Sequence, residues 1–414
     1  MENIKNNLGL KLELLKYQNL LLEDLVETKR YLYSEVSNEA RMIGIIGLRG
    51  VGKTTLLLQK LKEGKNESIY FSLDNPKISN IGLFNVVETL YFDYGIRSFY
   101  IDEIHKYKNW NQELKNIYDS FPKAKIMFSG SSSVDILKGS YDLSRRVLIY
   151  KLNILSFREY LEIKHKINIK KINLEDIFSK NINLENLFIK LFNISILEEF
   201  RNYLNFGEFP FFQEGGKKDY ILRLENIINK IIYEDISNFY NLKTENLIYF
   251  KEILYFIINS EPGLFSANSL SKSLKISNDS VNNYINILNE IGLINLISSY
   301  GNITQTIRKA KKIYLSINNT DSLSSFELIN NSNIGRLRES FIIANFTNIN
   351  KKINYSKDGD FIFSVNNEDI IIEVGGKNKT RKQIKNIENS FIISDDISKI
   401  DKNKIPLYLF GFLY

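Results

Sequence analysis

The sequence predicts an α/β protein: a parallel sheet at the N-terminal end, then a helical region, a winged helix and a small α/β domain. Three observations carry this. Short apolar runs alternate with helical stretches until near Tyr160. A glycine-rich loop joins the first apolar run to a helix. Beyond Tyr160 the strand-like runs give way to helical periodicity. With 414 residues the chain exceeds one ordinary core, so two to four domains are expected.

Taken in order, Leu10, Leu14, Tyr17, Leu21, Leu22 and Leu25 recur at helical spacing and predict an amphipathic helix over 9–30. Met42 to Ile46 predicts a strand and Thr54 to Leu61 a helix. Ser68 to Leu73, Ser98 to Ile101 and Lys125 to Phe128 predict three more strands. Residues 161–245 are mostly helical in pattern, with a turn at Gly207 to Pro210. Helices over Lys251 to Ile258, Ser269 to Leu274 and Asn278 to Ile291, then strands over Ile294 to Ile297 and Lys312 to Leu315, have winged-helix spacing. The expected domains are 1–160, 161–248, 249–320 and 330–414, with a polar linker around Asn318 to Asn333.

Composition narrows the function classes. Apolar residues make up 43% and charged residues 25%, which suits a globular protein and excludes disorder throughout. The absence of cysteine removes disulfides, thiol nucleophiles and thiolate metal sites. With only two histidines, His105 and His165, a His-rich metal or haem site is not expected. The net charge of +7 is a mild excess; it permits a nucleic-acid partner without requiring one. The N-terminal residues lack a signal-peptide pattern and no apolar run reaches bilayer length, so a cytoplasmic, non-membrane protein is expected.

The strongest motif is Gly47-Leu48-Arg49-Gly50-Val51-Gly52-Lys53-Thr54, a phosphate loop between an apolar strand and a helix. Gly47, Gly50 and Gly52 let backbone N–H groups turn inward around phosphates, and the helix start adds its positive dipole end. Lys53 would reach the β- and γ-phosphates, and the Thr54 hydroxyl would ligate Mg²⁺. Thr55 completes the phosphate-binding set.

Two later strand ends supply the rest of the chemistry. Ser98-Phe99-Tyr100-Ile101-Asp102-Glu103 is an apolar strand ending in adjacent carboxylates. Asp102 would support Mg²⁺, and Glu103 would orient and deprotonate the attacking water. Lys125-Ile126-Met127-Phe128-Ser129-Gly130-Ser131 ends in small hydroxyl residues. Ser129 suits a sensor that hydrogen-bonds the water or the γ-phosphate, and equally a helix cap.

The runs GLRGVGKTT, FYIDEIH, FSGSSS, LSRRVLIYKLNILSFREYLE and NFGEFPFF together resemble the bacterial and archaeal AAA-type ATPases that carry a characteristic C-terminal domain of unknown function. The resemblance spans nearly the whole chain. It implies ATP as the nucleotide; the loop itself does not read the base, although no Asn-Lys-x-Asp guanine motif is present. It also implies an arginine near the γ-phosphate from LSRRV, best matched by Arg146, acting in cis or from a neighbouring subunit. A surface salt bridge is the competing reading of Arg146. Two departures stand out: Arg145 where the family usually has Gly, and Ile154 and Leu155 where it favours Pro.

Beyond the ATPase motifs the residues leave alternatives open. On Asn278 to Ile291, Val281, Tyr284, Ile285, Leu288 and Ile291 form the buried stripe. The opposite face carries Asn278, Asp279, Asn282, Asn283, Asn286, Asn289 and Glu290, with no Lys or Arg to meet phosphates. Basic residues fall instead in the wing, at Arg308, Lys309, Lys311 and Lys312. Double-stranded DNA and a protein partner are both compatible with this element, since Asn can read adenine.

In the last unit Glu339 lies on an expected helix. Asp360 to Val365 and Glu368 to Val374 read as strands around an Asn366-Asn367 turn. That register sets Asp360 opposite Glu373, a pair that could hold a metal with Glu339. The arrangement resembles the PD-(D/E)xK nuclease core, but Gly375 stands where its lysine belongs. An inactive nuclease-like domain is expected, with Lys377 or Arg381 neutralising the acids; an active metal-dependent nuclease is the alternative.

Overall fold

The computed structural model describes residues 2–64, 67–131, 143, 145–178, 194–240, 242–260, 266–301, 311–319 and 333–414. Ser132, Ser133, Ser144, Arg308, Lys309 and most of the expected polar linker lie outside the described residues. Contacts divide the chain into two units, Met1–Asn153 and Ile154–Tyr414.

The first unit is built on five parallel strands: β1 (Met42–Gly47), β2 (Ser68–Ser72), β3 (Ser98–Asp102), β4 (Lys125–Ser131) and β5 (Leu148–Lys151). Their order in the sheet is β2-β3-β4-β1-β5. All six residues of β1 are buried, as expected of a parallel strand covered on both faces. The flanking helices are α1 (Glu2–Glu23), α2 (Lys53–Lys62), α3 (Leu83–Tyr94) and α4 (Trp110–Ser120). Leu83, Val86, Val87 and Leu90 of α3, with Trp110, Leu114 and Ile117 of α4, join Phe99, Ile101, Ile126 and Phe128 in one core.

The strands forecast from sequence are all present, with ends shifted by one to three residues. The N-terminal helix needs a correction: α1 stops at Glu23, and residues 25–30 carry no regular structure. That segment is used differently. The Gln59 side chain donates to Val26 O at 2.8 Å and Thr28 O at 3.1 Å, and the segment ends in buried Arg30.

The second unit begins with α5 (Phe157–His165), whose start is fixed by a capping box between Ser156 and Glu159. Helices α6 (Ile196–Phe206), α7 (Lys217–Lys230) and α8 (Thr244–Asn259) follow. Next come α9 (Ala267–Leu274), α10 (Asn278–Ile291) and the antiparallel pair β6 (Ile294–Ile297) and β7 (Lys312–Leu315). Val281, Tyr284, Ile285, Leu288 and Ile291 of α10 are buried, and Gly292 ends the helix at φ 87°.

The C-terminal part holds α11 (Asn333–Asn348) and a mixed sheet of β8 (Asn354–Tyr355), β9 (Phe361–Val365), β10 (Glu368–Gly375), β11 (Ser390–Ser394) and β12 (Lys404–Pro406). Asn366 and Asn367 sit at φ 51° and 67°, the left-handed turn that a two-residue hairpin requires. Phe157, Tyr160, Phe200 and Tyr203 share a core with Phe341, Phe346, Phe361 and Phe410. Helices α5 and α6 therefore bury their apolar faces with the C-terminal sheet. Among the described residues, no helix is long and apolar enough to cross a membrane.

Candidate nucleotide site

Parallel strands place their C-terminal ends along one edge of a sheet, where loops gather functional groups. Here that edge carries the glycine loop after β1, the carboxylates at the end of β3 and the hydroxyls at the end of β4. Because β4 lies between β1 and β3, its end touches both neighbours.

The loop conformation depends on its glycines. Gly52 has φ 97° and precedes the first residue of α2. A Cβ on Gly47 would lie 2.3 Å from Leu152 O, so only glycine fits there. Gly50 also has positive φ. Buried Arg30 pins the loop from behind: Nη1 donates to Val51 O and Nη2 to Asn153 O, the latter at 2.8 Å. Lys53 Nζ donates to Gly47 O at 3.0 Å and Leu48 O at 2.9 Å, holding the ammonium against the loop. Thr55 is partly exposed one residue further along α2.

Asp102 is buried and gathers donors from four directions. Thr54 Oγ1 donates to its Oδ2 at 2.6 Å, and Tyr70 OH donates to the same oxygen at 3.0 Å. Ser129 Oγ bonds Oδ1, and Glu103 N donates to Oδ1 at 3.1 Å. Burial raises the Tyr70 phenol above its ordinary pKa, and the Asp102 charge adds to this, so Tyr70 stays a donor. Glu103 adopts φ 53°, a left-handed conformation that a non-glycine residue holds at a cost of about 1–2 kcal/mol. This is the turn that brings the two adjacent carboxylates to one edge. Glu103 N also lies 3.2 Å from Ser129 Oγ, and Glu103 Oε2 lies 3.3 Å from His105 Nε2.

The hydroxyl of Thr54 and the carboxylate of Asp102 adjoin, a pair of hard oxygen donors that fits Mg²⁺ completed by phosphate and water oxygens. Lys53, Thr54, Asp102, Glu103 and Ser129 are thus brought together. Arg146 is not. It precedes β5, so it stands at the edge where the strands begin, opposite the loop. Its Nε and Nη2 each contact Asp119 at 3.0 Å, and its guanidinium lies over the Tyr118 ring. Sequence reasoning missed Arg30, Tyr70 and His105. Only His105 left a signal, as one of two histidines and two residues from Glu103.

In the second unit the acids expected to pair do approach one another, with changes. The β9–β10 ladder pairs Val365 with Glu368 and runs to Phe361 with Ile372, one step short of Asp360 and Glu373. Asp360 Oδ2 accepts from Val374 N at 2.7 Å. Burial pushes the Glu339 carboxyl up to about 7, Asp360 adds to this, and Tyr314 OH donates to Glu339 at 2.9 Å. Burial also raises Glu373, whose two buried oxygens accept no hydrogen bond. Among the described residues no group of three His, Cys, Asp or Glu side chains is placed to hold a metal ion. The facing cation is Lys379, 3.8 Å from Glu373, rather than Lys377 or Arg381. Its stem lies across Gly375, where a Cβ would come within 2.8 Å. Arg381 instead bonds Ser390 Oγ at 2.7 Å.

Residues 39–161 match a family model described as an AAA domain, in agreement with the parallel sheet and loop. Residues 197–316 match a domain of unknown function, DUF8612. The uncharacterized protein MJ1637 of Methanocaldococcus jannaschii is 30% identical, across 94% of this chain and 88% of its own length. The chain belongs to the family of MJ1637. A second relative in the same archaeon, the uncharacterized protein MJ1544, is 23% identical over 89% of this chain and 81% of its own length. AMPPCP-bound DnaA from Aquifex aeolicus aligns with 65% of this chain and 90% of its own, at 15% identity and a TM-score of 0.28. The first unit of this MJ1637-family chain is an AAA-type P-loop ATPase domain of the α/β class.

Proposed function

We propose that the protein binds ATP with Mg²⁺, hydrolyses it, and uses the nucleotide state to switch its C-terminal modules between conformations. The observation that carries this is the contact of Thr54 with Asp102 beside Glu103 and Ser129, at the mouth of a glycine loop. The N–H groups of Gly47 to Thr55 cradle the phosphates. Lys53 leaves its loop carbonyls for the β- and γ-phosphates. Thr54 and Asp102 would hold Mg²⁺, which when bound would supply positive charge to the phosphate oxygens. Glu103 takes a proton from the attacking water, and Ser129 fixes the geometry between Asp102 and the Glu103 backbone. Arg146, paired with Asp119 on the far edge, serves as a finger only toward a neighbouring subunit.

The domain reading beyond the ATPase unit is part of this proposal. Residues 161–248 act as a helical lid or linker, 249–320 as a winged helix, and 330–414 as an inactive nuclease-like domain. The three helices followed by a two-stranded antiparallel pair support the winged helix. The lysine stem across Gly375, where the nuclease core would carry its own lysine, supports inactivity. The partner is double-stranded DNA or a protein, and in the DNA case slow hydrolysis would act as a timer.

ATP turnover with and without added duplex DNA, at two salt concentrations, tests the coupling. Salt-sensitive stimulation supports DNA as the partner. A rate indifferent to DNA directs the search to proteins. An active nuclease would instead cleave DNA in a manner abolished by Asp360→Ala.

A further inference from the structure

We propose that His105 is the positioning residue of Glu103, and that it ties the base to the end of β4. This rests on the assignment of Glu103 as the base. His105 lies in the single 3-10 turn Ile104–Lys106 that follows Glu103, and its side chain is only 5% exposed. One ring nitrogen, Nδ1, lies 3.4 Å from the backbone N–H of Ser131, the last residue of β4. The other, Nε2, lies 3.3 Å from Glu103 Oε2.

This pairing fixes the tautomer. An N–H directed at Nδ1 requires a lone pair there, so the neutral ring carries its proton on Nε2, toward the carboxylate. A glutamate side chain has three rotatable torsions, and holding it in one orientation has an entropic cost. The buried imidazole pre-sets that orientation. A neutral N–H does so without placing a full positive charge beside the carboxylate, as a lysine or arginine at the same place would.

The same strand end already reaches Asp102 and the Glu103 N–H through Ser129. β4 therefore addresses the metal-supporting acid through one residue and the base through another.

The test compares ATP turnover and ATP affinity of wild type, His105→Ala and His105→Gln, each also in a Glu103→Gln background. His105→Ala should lower kcat about ten- to hundredfold while KM and the ATP dissociation constant change less than about twofold. His105→Gln, which keeps an N–H donor, should recover most of that loss. In the Glu103→Gln background, His105→Ala should cost nothing further. Unchanged kcat in His105→Ala overturns the proposal. So does an equal loss in the Glu103→Gln background, or a fall in ATP affinity matching the fall in kcat, because either marks a merely structural role. Ring ¹⁵N spectra give a readout independent of turnover: the Nε2-protonated tautomer is expected, and an Nδ1-protonated ring overturns the assignment. The wild-type rate alone reports on the ATPase reading, so its failure and that of the His105 role are distinguishable.

Discussion

Thr54 Oγ1 donates a 2.6 Å hydrogen bond to Asp102 Oδ2, joining the start of α2 to the end of β3 across the sheet. The two residues are 48 positions apart in sequence. Both residues would hold Mg²⁺ where the loop meets the acidic strand end. Loss of Lys53 removes the ammonium that meets the phosphates, so Lys53→Ala should weaken ATP binding at least about tenfold, a loss of about 1.4 kcal/mol. Equilibrium binding of a fluorescent ATP analogue measures this.

Tyr70 holds Asp102 from the side away from the loop. Tyr70→Phe keeps the apolar packing and deletes one donor to Oδ2. Outer partners of metal-supporting groups typically matter about ten- to hundredfold. The variant should therefore need about tenfold more Mg²⁺ for half-maximal turnover, with a melting temperature close to that of wild type. A Mg²⁺ titration of the rate reads the effect directly.

Arg146 pairs with Asp119 at the strand-start edge of its own sheet. At dilutions where the chain is a monomer, Arg146→Ala should leave ATP affinity and turnover at wild-type values. A fall confined to concentrations at which subunits associate would place its action in trans. Rate measured against protein concentration, beside sedimentation, separates these outcomes.

Glu208 is buried in the second unit, with Asn318 Nδ2 and Asn319 N each donating to it at 2.8 Å. Burial lifts its carboxyl to about 7, and Glu339 is lifted to a similar value. Both groups bind a proton more tightly folded than unfolded. Their contribution is complete below about pH 4.5 and is lost as pH rises through about 7. For Glu208 alone this amounts to roughly 3 kcal/mol. The second unit should lose stability between pH 5 and pH 7.5. Glu208→Gln should flatten part of that slope, since an amide does not titrate and Asn318 can rotate to offer it an oxygen. Urea midpoints across this range provide the measurement.

The phosphate loop and the acidic strand end were legible in sequence because both are local: an apolar run, glycines and a lysine, or an apolar run and two carboxylates. The hairpin around Asn366-Asn367 was legible for the same reason, since its turn residues dictate the register. What sequence left hidden came from distant chain. Arg30 reaches Val51 because α1 stops seven residues early, and a leucine-rich periodicity gives no sign of that stop. Tyr70 acts from a strand beside β3, and strand order is not written in any one segment. Lys379 displaces the expected Lys377 and Arg381 because residues 376–389 have no period from which side-chain direction could be read. Arg146 was placed by a run of letters, whereas the parallel course of β5 puts that run at the opposite edge.

The most direct test of the account is Mg²⁺-dependent ATP turnover by wild type beside Glu103→Gln, with ATP binding measured on both. The expected result is equal ATP affinity and a rate at least about a hundredfold lower in the variant. Turnover in Glu103→Gln equal to that of wild type would contradict the assignment of the base, and with it the reading of this strand end as the catalytic edge.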